Sequence, residues 1–182
     1  MLRYARERDM IISVILDTST HQAQPAAGSE DERRYLRYAV ARLGAFSNIT
    51  WDLGDDLDSF RDEKWAHAAG TLLVGWDPYK HLATSHPVHR EHQDRASDWF
   101  GFTSIQEWSR SQHSLMLEER QIQLKTGRII PQANEKYGLR GSLPALGTET
   151  RRRFRRNPAP DGLGNCDGWG VWNCRRKRSA RH

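Results

Sequence analysis

The feature that most constrains the fold of this chain is the run Met10-Ile11-Ile12-Ser13-Val14-Ile15-Leu16, nearly continuous in apolar and β-branched residues. Such a run fits a strand buried on both faces, as in a parallel sheet covered by helices. The theme then recurs. Residues 17–29 read as loop, and Ser29 with Glu32 three positions on forms a capping-box pattern. A helix is expected from Glu30 to Phe46, with Leu36, Ala39, Val40 and Leu43 on one face. Asn48 to Leu53 reads as a second strand, residues 61–75 as a helix broken by Asp77-Pro78, and Leu82 to Ser85 as a third strand. Phe100 to Ile105 reads as a fourth strand. A helix is expected over 109–126 through Leu115, Leu117, Ile122 and Leu124, with Gly127 as its cap, and Ile129 to Ala133 as a fifth strand. Strands alternating with helices at this spacing imply βαβ units and a parallel sheet.

Charge divides the chain in two. Residues 1–150 hold 18 Lys+Arg against 21 Asp+Glu, a net of −3, whereas residues 151–182 hold 10 against 2, a net of +8. The body is mildly acidic, so the overall charge of +5 does not argue for a nucleic-acid partner. Both cysteines, Cys166 and Cys174, lie in the tail, which excludes a disulfide framework for the body. No stretch approaches the roughly 18 apolar residues of a membrane span, and no membrane partner is expected. The charged start, Met1-Leu2-Arg3-Tyr4-Ala5-Arg6, does not read as a signal peptide. The tail is rich in Arg, Gly, Pro and Trp and poor in aliphatics, so it is expected to be irregular and disordered. Its composition also resembles translation of a shifted reading frame, which resequencing the locus would test.

Acids stand at strand ends. Asp56 closes Trp51-Asp52-Leu53-Gly54-Asp55-Asp56, and Glu135 follows the fifth strand in Asn134-Glu135-Lys136-Tyr137-Gly138. In a (β/α) barrel, the C-terminal ends of the strands carry the chemistry. Paired carboxylates there are what glycoside hydrolysis requires, one as acid/base and one as nucleophile or base. The neighbouring Asp52, Asp55 and Asp58 supply like charge that could raise the pKa of an acid. The bland alternatives are a solvated loop and helix cap for Asp55-Asp56-Leu57-Asp58 and an exposed loop acid for Glu135. His86 at a strand end is either a sugar contact or a loop histidine. Asn134 either bonds a sugar hydroxyl or forms a turn, and Tyr137 either orients the nucleophile or packs. Gln106 at the end of the fourth strand could face the site. Trp108 is a candidate stacking platform, although most tryptophans in a barrel serve packing. His81, His86, His89 and His92 raise a metal reading. Their spacing is not H-E-x-x-H, and Pro87 argues against two of them on one helical face, so no metal site is expected.

The block Tyr35 to Asp56, with its Trp51-x-Leu53-Gly54-Asp55-Asp56 ending, resembles the apiosidase-like glycoside hydrolases. Asp77-Pro78-Tyr79-Lys80-His81-Leu82-Ala83-Thr84-Ser85-His86-Pro87 resembles the next strand of that family, and Asn134-Glu135-Lys136-Tyr137-Gly138 its nucleophile strand. The resemblance covers about residues 1–141. It implies a (β/α)₈ TIM barrel acting with retention on a carbohydrate, with Asp56 as acid/base, Glu135 as nucleophile and no cofactor. His86, Asn134, Tyr137, Gln106 and Trp108 would contact the sugar. A complete barrel takes about 250 residues. With 182, this chain is expected to form a partial TIM barrel of about five parallel strands, the third to seventh, over 1–150, followed by the tail over 151–182. Asp55 replaces the Gly or Asn usual before the acid/base. Secretion, the periplasm and the cytoplasm are all compatible with the family. The alternatives are an inactive or carbohydrate-binding remnant that self-associates through unpaired sheet edges, and, less favoured, a nucleic-acid binder acting through its basic tail.

Overall fold

The computed structural model describes residues 1–18, 24–107 and 112–136, together with the backbone of 171–172. The chain opens with a one-turn helix α1 (Leu2–Arg6) that leads into β1 (Ile11–Ile15). Helix α2 (Glu30–Leu43) follows, then β2 (Ile49–Asp55), α3 (Glu63–Trp76), β3 (Ala83–His86), β4 (Thr103–Ile105), α4 (Gln112–Thr126) and β5 (Gln132–Asn134). Strands β1, β2 and β3 pair in parallel and in chain order, as do β4 and β5. The two groups meet where the Gly101 N–H donates to the Ala83 carbonyl at 2.7 Å and the Thr84 hydroxyl to that of Phe102 at 2.8 Å. Parallel pairing within each group, with intervening helices, makes a mixed α/β fold consistent with part of a TIM barrel.

Two positions differ from the simplest strand reading. β1 buries Ile12 and Leu16 against the helical layer, but Ile11 and Ile15 are 51% and 42% exposed. Of the tail, the backbone of Val171–Trp172 (β6) pairs antiparallel with Ile11 and Ile12 at the outer edge of β1; its other residues lie outside those described.

The helices form for legible reasons. Ser29 Oγ accepts from the Glu32 N–H at 3.2 Å, which caps α2 as expected. The return half of the capping box is displaced by one residue, since the Glu32 carboxylate takes the Gly28 N–H at 2.7 Å. Leu36, Ala39 and Val40 then pack with Ile49, Trp51, Leu53 and Leu73 into the main core. Asp62 caps α3 through the Trp65 N–H at 2.7 Å. Gly70 on α3 is needed for packing: a Cβ there would stand 2.2 Å from the Trp99 ring. Helix α4 departs from expectation. Leu117, Ile122 and Leu124 are exposed, while Glu119 and Gln123 are buried. At 100° per residue Leu117 and Leu124 lie opposite Leu115 and Ile122, so the four never shared a stripe. Polar contacts hold this helix instead. Arg95 grips Glu119 with two bonds of 2.6 and 2.8 Å, and Gln123 donates to Thr103 Oγ1 at 3.1 Å.

Candidate active site

A charged cluster gathers over the C-terminal ends of the parallel strands, and a bulge in β2 builds its centre. The register between β2 and β3 pairs Asp52 with Thr84 and Asp55 with His86, so three steps on one strand match two on the other. Residues three apart on a regular strand point to opposite faces. The extra residue turns Asp55 back to the side of Asp52, and both carboxylates reach the same imidazole. Asp52 pairs with His86 Nδ1, while Asp55 Oδ1 lies 2.9 Å from Nε2. Gly54 makes the bulge possible. A Cβ there would stand 2.6 Å from Leu57, and its N–H donates to Asp52 Oδ1 at 3.0 Å.

His86 and Asp52 are almost wholly buried. Burial alone would lower the imidazole's pKa, but the charge and hydrogen bond of Asp52, with the bond to Asp55, raise it to about 10. At neutral pH His86 is therefore an imidazolium held between two carboxylates. Burial would likewise raise Asp55, but hydrogen bonds from His86 and Lys136 prevail and hold it at about 2. The expectation that crowded aspartates would lift one another is not what governs this loop. Cationic partners reach Asp55, and at Asp58 burial is outweighed by bonds from His89 and the Val88 and His89 N–H groups, which lower its pKa as well.

At Glu135 the carboxyl pKa is raised. Burial comes first and the charge of Asp52 second, against the opposing pull of the Ser104 hydroxyl and His86. Ser104 Oγ donates to Glu135 Oε2 at 2.5 Å. The Glu135 N–H donates to the Ile105 carbonyl at 3.1 Å, fixing the acid to the end of β4. The next residue, Lys136, spans the cluster: its Nζ pairs with Asp55 and lies 2.9 Å from Asp56 Oδ1. Asp56 takes a left-handed backbone conformation with φ 54°, a region that Asp visits more readily than most residues, and this turns the chain off the strand. Gln106 donates from Nε2 to Asp56 Oδ1 and to the His86 carbonyl, both at 3.0 Å.

The site thus unites Asp56, Glu135, His86 and Gln106. The Asn134 amide donates to the Glu107 carbonyl at 2.9 Å and to Gln112 at 3.2 Å. Both ring nitrogens of His86 are engaged by carboxylates, Nδ1 by Asp52 and Nε2 by Asp55. Trp108 and Tyr137 lie outside the described residues. Sequence reasoning gave Asp52 and Asp55 only the part of neighbouring like charge, and it did not single out Ser104 or Lys136. A Gly-Asp pair ending a strand was the available sign of a bulge that would bring Asp52 and Asp55 together. Asp52, His86 and Glu135 offer donor atoms all within 4.8 Å of one another. Trp51, Trp65 and Trp99 are packing residues, each with its indole N–H on a carboxylate: Asp77 at 3.0 Å, Glu32 at 2.7 Å and Asp94 at 2.8 Å.

Parallel strands in chain order, with acids massed over their C-terminal ends, define a mixed α/β domain consistent with part of a TIM barrel. The family model for the apiosidase-like catalytic domain matches residues 1–148, and the chain belongs to that family. Two solved structures from Bacteroides vulgatus share the fold. One, described as a glycoside hydrolase of family 5, is 19% identical with a TM-score of 0.57 over 75% of this chain. The other, a glycoside hydrolase candidate, is 23% identical with a TM-score of 0.52 over 66% of this chain. The chain spans 32% and 24% of those two proteins respectively. The comparison with curated proteins returns no match.

Proposed function

We propose that this chain carries the catalytic face of a retaining glycoside hydrolase, with Glu135 as nucleophile and Asp56 as acid/base. The observation that carries the reading is the meeting of the β2 and β5 ends, where Lys136, adjacent to Glu135, lies 2.9 Å from Asp56. That His86 and Lys136 hold the Asp55 pKa at about 2 supports Asp56 rather than Asp55 as the acid. Glu135 attacks the anomeric carbon as the glycosidic C–O bond breaks, and Asp56 gives its proton to the departing oxygen. Asp56 then takes a proton from water, whose oxygen displaces Glu135 and restores the enzyme. Lys136 is shared between Asp55 and Asp56 and holds the two carboxylates side by side. Gln106 steadies Asp56, and Tyr137, two residues past Glu135, is assigned to orienting the nucleophile. The substrate is a carbohydrate, a plant-type or other polysaccharide. In barrel terms the five strands correspond to the third through seventh.

The test is hydrolysis of a panel of aryl glycosides. Turnover should fall more than about 1000-fold in both Glu135→Gln and Asp56→Asn with unactivated leaving groups. With dinitrophenyl leaving groups, which need no acid, only Asp56→Asn should keep the first step. Unchanged turnover in either variant would refute the assignment. The open face beside Ile11 and Ile15 favours a second reading, carbohydrate binding without turnover and self-association at that edge. A folded sample that binds oligosaccharide and hydrolyses none would select it.

A further inference from the structure

We propose that Asp58, His89 and His92 form a binding site for a divalent transition-metal ion, which clips the loop after β2 to the loop after β3. The site is separate from the Asp52–His86–Glu135 cluster and does not rest on the proposed reaction. Asp58 lies in the 3₁₀ turn Leu57–Ser59, with its carboxylate nearly buried. The N–H groups of Val88 and His89 donate to its two oxygens at 2.7 and 3.1 Å, which fixes the carboxylate against the second loop.

His89 and His92 are brought together by a second 3₁₀ turn, Arg90–His92, of which His89 is the leading residue. At three residues per turn, positions i and i+3 eclipse. The sequence argument against a metal considered an α-helical face, which Pro87 forbids; a 3₁₀ turn after Pro87 achieves the juxtaposition by another route. The two rings lie 5.7 Å apart between centroids. Their Nδ1 atoms address one oxygen, Asp58 Oδ2, at 2.7 and 3.4 Å. The three donor atoms lie within 4.8 Å of one another. Widening the shorter pair by a few tenths of an ångström admits an ion with bonds of about 2.0–2.2 Å.

The donor set selects the ion. Two imidazole nitrogens and one carboxylate suit Zn²⁺, Co²⁺, Ni²⁺ or Cu²⁺, whereas Ca²⁺ and Mg²⁺ require shells of oxygen. The His89 and His92 side chains are 63% and 44% exposed, so the remaining coordination positions open to water. His92 and Asp58 also border a cavity of about 740 Å³ with Leu57, Phe60 and Pro87, which gives a small ligand access to the ion.

The experiment is calorimetric titration of the chelator-stripped full chain with Zn²⁺, together with Co²⁺ absorption and thermal unfolding. One ion should bind, the unfolding midpoint should rise, and Co²⁺ should give ligand-field bands without a thiolate charge-transfer band. His89→Ala and His92→Gln should each weaken binding more than about 10-fold, since even groups outside the coordination sphere are commonly worth 10- to 100-fold. His92→Gln leaves the backbone bonds to Asp58 intact, so loss of binding with an unchanged circular dichroism spectrum separates ligation from folding. His113→Ala, on an exposed helical position, and Cys166→Ser/Cys174→Ser should bind as the parent does. Absence of binding by the parent chain, binding undiminished in both histidine variants, or binding lost only with the cysteines would overturn the proposal.

Discussion

Replacing His86 with Gln removes the cation on which two carboxylates converge. Asp52 is fully buried, and besides His86 it has the Gly54 N–H at 3.0 Å. Asp55 keeps Lys136 as a second partner, so the penalty falls chiefly on Asp52. Breaking a buried ion pair from one side costs about 3–5 kcal/mol. The protonation equilibrium gives a similar size: His86 moves from 6.5 to about 10 on folding, and at 1.36 kcal/mol per unit this is about 5 kcal/mol. Because the folded pKa is the higher one, that contribution is complete below pH 6.5 and is lost as pH rises through 10. Urea unfolding of the parent, His86→Gln, Asp52→Asn and the double variant forms the assay, run at pH 7 and at steps toward pH 10. The double variant, which removes both charges and retains most of the volume, should recover at least about 2 kcal/mol of the summed single losses. Single effects that add within about 0.5 kcal/mol, or a parent chain whose stability does not fall relative to His86→Gln above pH 6.5, would refute the ion-pair account.

Three further outcomes are expected. Asp55→Asn should lose about 2 kcal/mol at pH 7, since a carboxyl held at about 2 against 3.8 stabilises the fold above pH 3.8. In acid unfolding that difference should vanish as pH falls from 3.8 through 2; a constant difference would contradict it. Glu135, raised above 4.5, makes the folded state less stable as pH rises through its folded value. Glu135→Gln should therefore be more stable than the parent at pH 7 by thermal unfolding, and the acid limb of kcat/KM in the parent should lie above 4.5. Gly70→Ala should cost about 1–3 kcal/mol in urea unfolding, because its methyl group would enter the Trp99 ring.

The strand–helix alternation was legible because each element carried its own signal. Apolar β-branched runs marked β1 and β2, the Leu36–Ala39–Val40–Leu43 stripe marked α2, and Gly127, at φ 75°, ends α4 as its position implied. Helix α4 misled because its packing is polar: Glu119 and Gln123 face inward, paired with Arg95 and Thr103 from elsewhere in the chain. The acids at the strand ends could be named from the family motif. Their electrostatics could not, because the partners are distant in sequence. Asp52 meets His86, and Asp56 meets both Gln106 and Lys136, only when β2, β3, β4 and β5 lie side by side. The bulge at Gly54 is likewise a property of paired strands, and it alone brings Asp55 to His86.

The central claim is that Glu135 forms a covalent bond to the sugar. Incubation with a panel of 2-deoxy-2-fluoro dinitrophenyl glycosides, followed by peptide-level mass spectrometry, tests it most directly. The account predicts one glycosyl adduct, on Glu135, abolished in Glu135→Gln and accompanied by retained stereochemistry in the natural reaction. An adduct on Asp52, Asp55 or Asp56, or turnover that inverts the anomeric centre with no adduct at all, would contradict it.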